Sequence, residues 1–174
     1  MKLIEIRRAN INDAEIISQL AQNTFDETFG YLFPDRKVLL EYFEQTFSVE
    51  KIYNGIQKTN NVFWLAFVEE KPVGYAKLKV HSPSEFVNEA HVSQLQKIYV
   101  LKDFLSMKIG LQLQETLLQK ARDLGSKYIW LSVFKDNPRA INFYLKNGFD
   151  EVGKHQFQIG PHVFDFMAMC KVLQ

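Results

Sequence analysis

The chain has 174 residues, 47% apolar and 24% charged, and a net charge of +1. That length can bury the core of one domain, so a single domain over 1–174 is expected, and the near-neutral balance leaves no electrostatic footprint for nucleic acid or an anionic membrane. The lone cysteine, Cys170, excludes an internal disulfide and suits a reducing compartment. There is no apolar h-region at the N-terminus and no apolar run long enough to cross a bilayer, so the expected location is cytoplasmic.

In chain order, Leu3, Ile4 and Ile6 mark a short strand. Asn12 or Asp13 can cap a helix whose stripe is Ile17, Leu20, Ala21, Thr24 and Phe25. Pro34 and Asp35 open a second helix with Val38, Leu39, Tyr42 and Phe43 on its apolar side, and a third covers about Val49 to Ile56. The period then changes. Val62–Val68 is apolar throughout and Val73–Val80 alternates, which predicts a β-hairpin turning at Glu69-Glu70-Lys71-Pro72. His81–Ser93 is polar and reads as a mobile flap. Leu95–Leu101 reads as a strand, and Ile109, Leu113, Leu117, Ala121 and Leu124 as a helical stripe closed by Gly125. Tyr128–Phe134 is apolar on both faces, which suits a central strand parallel to its predecessor across a helical crossover. Two further strands, about Asp150–Ile159 and Val163–Val172, meet at Gly160-Pro161. The expected fold class is α/β (α+β): one mixed sheet of about seven strands with helices on both faces.

The segment Asp136–Gly148 carries the most information. Asn137 suits a helix N-cap, Pro138 the first helical position, and Gly148 the left-handed residue after the end. Ala140, Phe143 and Tyr144 share a face by their spacing. Alone, the pattern also describes an ordinary amphipathic helix with a half-buried tyrosine.

With Phe149 added, Asn137, Ala140, Phe143, Tyr144 and Gly148 make N-x-x-A-x-x-F-Y-x-x-x-G-F. This resembles the second conserved motif of the GNAT acyl-CoA N-acetyltransferases. From about Phe25 onward the chain is similar to the Pai-type bacterial spermidine/spermine N-acetyltransferases. The resemblance implies the GNAT fold and acetyl-CoA as cofactor. It also implies a small-molecule amine as acceptor, such as a polyamine or other small cationic amine, and a monomer or a homodimer through the last strands. The family loop Q/R-x-x-G-x-G/A, whose amides bind the pyrophosphate of coenzyme A, corresponds to Leu105, Ser106, Met107, Lys108, Ile109 and Gly110, with Leu111 following. Leu105 and Lys108 depart from that pattern. Lys108 either strains the loop or pairs its ammonium with a phosphate.

By the same resemblance, the backbone of Ile98, Tyr99 and Val100 would pair with the pantetheine arm and Asn137 would bond its amides. Lys146 would lie near the adenosine phosphate, and Tyr144 would be the general acid. A phenol can protonate a departing thiolate without itself being ionised at neutral pH. Phe25, Phe29, Tyr31 and Phe33 would wall the acceptor pocket, with Glu27 and its acidic neighbours Asp26, Asp35, Glu41 and Glu44 attracting a cationic amine. These acids equally describe solvated helix faces. Gln96 stands where similar proteins carry Glu, so no base is assigned. The histidines His81, His91, His155 and His162 lack metal-ligand spacing, and no metal is expected. The rival reading is a non-catalytic member of the fold that binds coenzyme A or another ligand; a protein N-acetyltransferase is a further alternative.

Overall fold

The computed structural model describes residues 2–174. In chain order the elements are β1 (Ile4–Arg8), α1 (Ala14–Phe29), α2 (Arg36–Thr46), α3 (Val49–Gln57), β2 (Asn61–Val68), β3 (Lys71–Lys79), β4 (Val92–Val100), α4 (Ile109–Asp123), β5 (Tyr128–Phe134), α5 (Pro138–Lys146), β6 (Asp150–Ile159) and β7 (His162–Val172). The strands form one seven-stranded mixed sheet in the order β1-β2-β3-β4-β5-β7-β6. The chain divides into two compact units. The first holds the residues up to Leu78 together with Lys97–Leu117; the second holds Lys79–Gln96 and Leu118–Gln174. β4 and α4 therefore contribute residues to both.

In the first unit the expected α1 stripe is buried at every position. Asp13, one of the two residues expected to cap α1, stands at its N-cap position, but its side chain makes no cap bond to the helix. Asn10 accepts the N–H of Asn12, and the Asp13 carboxylate takes the N–H of Asn10, a capping box around a short 3-10 turn. Asp13 also grips Arg7 with both oxygens, at 2.9 and 2.8 Å, so its side chain is not left to cap α1. The guanidinium lowers the Asp13 carboxyl below its ordinary value. Phe25 anchors an aromatic cluster, its ring centroid 4.9 Å from Phe29, 5.1 Å from Tyr42 and 5.8 Å from Phe43. Asp35, expected at the start of the second helix, is the N-cap of α2 and accepts the Lys37 N–H. The β2–β3 turn is shorter than expected. Glu69 and Glu70 take it alone, both with positive φ (49° and 69°), and Lys71 and Pro72 already belong to β3. Positive φ at both central residues is the geometry that matches the twist of a two-residue hairpin.

In the second unit β5 pairs in parallel with β4 through Val92–Gln94 against Tyr128–Trp130, and antiparallel with β7 along its whole length. Gly160, with φ 56°, turns β6 into β7. Leu124 falls beyond the end of α4 and is exposed, whereas Leu118 is buried; Ile109, Leu113, Leu117 and Ala121 are fully buried as the stripe required. The polar stretch expected as a mobile flap is tied down. The Ser82 N–H donates to the Val92 carbonyl, Trp130 Nε1 donates to the Ser82 carbonyl at 2.8 Å, and Val87 is buried. Phe86 sits where Gly153, at a register shift in β6, leaves room for its ring.

A methyl group at 153 would collide with the Phe86 ring. Gly153→Ala is expected to lower stability by about 1–3 kcal/mol, the usual result of overpacking. In a Phe86→Ala background the loss should shrink. Denaturant melts giving equal losses in both backgrounds would show that the ring is not the obstacle.

Candidate active site

The first unit contains the expected donor-binding strand and loop. Ile98, Tyr99 and Val100 are half-buried at the end of β4. The β3 backbone comes close because residue 74 is glycine: a Cβ there would lie 3.0 Å from the Tyr99 carbonyl oxygen. The Leu101 N–H donates to the Val73 carbonyl at 2.8 Å and fixes the strand's exit. A 3-10 segment, Lys102–Met107, then leads to Lys108, which adopts the left-handed conformation (φ 58°, ψ 27°) just before α4 begins. Glycine takes that conformation without penalty and lysine does not, so Lys108 carries local strain, which leaves its ammonium free to pair with an anion. Leu105, Ser106 and Lys108 are exposed, Met107, Gly110 and Leu111 are intermediate, and Ile109 is buried.

The loop suits an anion despite its unusual side chains. A left-handed residue preceding a right-handed helix turns successive amides toward one side, and the first N–H groups of a helix have no intrahelical partner. Gln112 is the residue whose N–H bonds back to Lys108. Nothing stands within 4 Å of where a Cβ on Gly110 would be. The loop therefore combines amide donors, open space and an ammonium.

Lys97, which is not among the residues expected at the site, lies one residue before this strand segment. Its ammonium sits 5.4 Å from the centroid of the Phe47 ring. Two residues on, and so on the same strand face, Tyr99 stacks on Tyr75 with centroids 6.0 Å apart. Burial pushes the Tyr99 phenol up, and Tyr42 adds to the effect. Lys97 is half-buried and makes no salt bridge among the described residues. A period-2 reading of Leu95, Lys97 and Tyr99 places a charge on an otherwise apolar face, and that signal was available in the sequence.

The expected acceptor residues are scattered in role. Phe25 and Phe29 are buried in the aromatic cluster, whereas Tyr31 is 71% exposed. Glu27 is exposed and accepts the N–H of Lys102 at 3.3 Å. Asp26 is held by both guanidinium nitrogens of Arg36 at 2.8 Å, and Asp35 is used as a cap.

In the second unit α5 forms as the motif requires. The Asn137 side chain accepts the Ala140 N–H at 3.3 Å, Pro138 opens the helix, and Gly148 has φ 88°. The Lys171 ammonium on β7 donates to the Asn147 carbonyl at 2.6 Å, satisfying the helix C-terminus and opposing its dipole. Tyr144 is 9% exposed, with its ring 5.5 Å from fully buried Phe149 and 5.3 Å from Phe143. Ala140 and Phe143 are half-buried and Lys146 is exposed.

A second polar pair in this unit has no signature in the residue pattern. Ser132 Oγ and His155 Nε2 lie 2.8 Å apart, with the imidazole centroid 6.1 Å from that of Phe86 and 5.7 Å from that of Phe166. Either partner can donate or accept. The two residues are 23 apart in sequence, and strand order alone brings them together.

Burial, with no carboxylate to offset it, lowers the Lys97 ammonium from 10.5 to about 8. Between those values the unfolded chain holds a proton that the folded one has lost, so this group's contribution to stability rises with pH across that window. Below it the folded protein must carry the charge. Lys97→Met is therefore expected to be more stable than wild type at about pH 7, with the gap narrowing as pH climbs past 8. Thermal melts across that range would test this, and a pH-independent gap would refute it.

Three comparisons bear on this geometry. The acetyltransferase (GNAT) family model matches residues 21–149. An N-acetyltransferase of the pepI 3′ region from Lactobacillus delbrueckii subsp. lactis is 26% identical over 162 residues, covering 92% of this chain and 90% of that one. The spermidine N(1)-acetyltransferase of Thermoplasma acidophilum is 26% identical over 154 residues, 84% of this chain and 88% of its own. The crystal structure of PaiA N-acetyltransferase from that organism, in complex with coenzyme A, superposes with a TM-score of 0.78 at 23% identity, over 98% of this chain and 99% of that one. At that identity the superposition speaks for the fold. The family match spans well over half of the sequence, and it includes the loop before α4 and the whole of α5. The chain belongs to the acetyltransferase (GNAT) family.

Proposed function

We propose that this acetyltransferase moves the acetyl group of acetyl-CoA to the primary amine of a small molecule, by direct attack with both substrates bound. The single observation that carries the reading is the strand–loop–helix arrangement at Ile98–Leu111: a strand end, a left-handed Lys108, open space at Gly110 and the amides of α4. Acetyl-CoA supplies an activated acyl thioester. The main chain of Ile98, Tyr99 and Val100 binds and orients the pantetheine arm, and Asn137 assists it with its amide. The amides from Leu105 to Leu111, with the Lys108 ammonium beside them, receive the pyrophosphate. Lys146, at the exposed end of α5, would hold the adenosine phosphate, and Ala140 and Phe143 of the same helix would line the donor. Tyr144 delivers its phenolic proton to the departing sulfur.

The Thermoplasma relative's name suggests a polyamine as acceptor. That assignment relies on acidic side chains of the first unit, and Asp26 and Asp35 are already occupied by Arg36 and by the α2 cap. We therefore name the acceptor only as a small primary amine. Phe25, Phe29, Tyr31 and Glu27 are its proposed surroundings.

Ligand titration separates binding from chemistry. Acetyl-CoA at roughly a hundred times its Kd should add about 2.7 kcal/mol to stability by mass action. Asn137→Ala should reduce that shift, measured against its own unliganded midpoint because the lost cap by itself costs about 1 kcal/mol. Tyr144→Phe should keep the shift and lose roughly 10²- to 10⁴-fold in kcat. Absence of any shift at millimolar acetyl-CoA would overturn the donor assignment in favour of a member of the fold that has lost its donor site. Full turnover by Tyr144→Phe would remove the phenol from the chemistry.

A further inference from the structure

We propose that the ammonium of Lys97 is an anion-binding subsite for the acceptor, so that the amine acetylated by this enzyme also carries an anionic group, such as the carboxylate of an amino acid. The inference rests on the proposed function and deepens it by naming the acceptor class. Lys97 directly precedes the backbone segment assigned to the donor, and strand geometry advances only about 3.3 Å per residue. Its side chain shares a strand face with Tyr99. The ammonium lies over the Phe47 ring, and Tyr99 stacks on Tyr75. Phe47 and Tyr75 are buried while Lys97 and Tyr99 are half-buried, so the ammonium and the Tyr99 phenol are the partly open groups of this aromatic cluster.

That cation has no counter-ion among the described residues. The carboxylates of the first unit that are engaged serve elsewhere: Asp13 on Arg7, Asp26 on Arg36, Asp35 on the α2 cap and Glu27 on the Lys102 N–H. A ring face offers an ammonium some attraction, but it does not replace a hydrogen-bonded anion. An acceptor carboxylate fills that role, since charge-assisted hydrogen bonds are the strong ones. A polyamine does the reverse, bringing a second cation against the first. The lowered proton affinity of Lys97 agrees with the absence of a neighbouring anion and still leaves the group mostly charged near neutral pH.

The test compares kcat/KM at saturating acetyl-CoA for phenylalanine, its decarboxylated counterpart phenethylamine, an O-phosphoryl amine and spermidine, in wild type and Lys97→Gln. Wild type is expected to favour an anionic acceptor over phenethylamine by roughly tenfold to a hundredfold, with spermidine poorest. Lys97→Gln should erase that preference through KM. A preference for the phosphoryl amine that Lys97→Gln removes supports the subsite and assigns phosphate as its anion. The proposal is overturned if wild type prefers spermidine or phenethylamine. It is also overturned if Lys97→Gln lowers kcat equally on every acceptor, which would make the lysine a proton carrier. A binding readout works even if no amine is turned over: N-acetylphenylalanine should raise the wild-type midpoint and leave that of Lys97→Gln unmoved. Equal shifts in both proteins would refute the subsite, whereas a difference without turnover would count against the acetyltransferase reading alone.

Discussion

The second half of β4 is held against β3 by a close backbone approach at Gly74. With any side chain at 74, the Tyr99 carbonyl would be crowded at 3.0 Å. The Leu101 N–H then closes onto the Val73 carbonyl and fixes where the strand ends. The left-handed turn at Lys108 and the first amides of α4 all follow from that exit. The buried stripe beginning at Ile109 keeps the helix start in place, because Ile109 and Leu113 are both fully enclosed. A lysine in the left-handed region is a local penalty of order 1 kcal/mol that this packing offsets.

Charge in the first unit is arranged in the same economical way. Arg7 and Asp13, and Arg36 and Asp26, form bidentate pairs that tie strand to turn and helix to helix. In each pair the guanidinium lowers the carboxyl below its ordinary value. The Arg36–Asp26 pair is substantially exposed, and such pairs contribute little to stability. Each pair commits its carboxylate to a guanidinium. Lys97 is the opposite case, a half-buried cation that the protein itself leaves unneutralised. Strain of that kind at the expense of stability is common where a site must wait for its ligand.

In the second unit α5 is secured at both ends by different means. Its start is local, Asn137 and Pro138, while its end depends on Lys171 reaching from β7 to the Asn147 carbonyl. Phe149 is buried completely behind Tyr144 and limits how the phenol ring can move. The loop before β4 is equally constrained, by Trp130 from one strand and by the space at Gly153 on another. These contacts remove the freedom that its polar composition suggested.

Much of this molecule was legible in its sequence. Neighbours at three and four positions share a helix face whatever the rest of the chain does. That is why the stripes of α1 and α4, the caps at Asp35 and Asn137, and the glycine after α5 were readable. The strand periods and the Asn137–Phe149 motif likewise led to the sheet and the family. Long-range pairings were not legible. Asp13 holds the N-cap position of α1 without bonding the helix, because Arg7 and the Asn10 N–H engage its carboxylate. Lys171 meets Asn147, and Ser132 meets His155, through strand order; Lys97 is packed over the distant Phe47 ring and meets no carboxylate among the described residues. Sequence spacing determines what a residue's near neighbours are. Only the folded sheet decides which remote side chain completes, or fails to complete, its electrostatic surroundings.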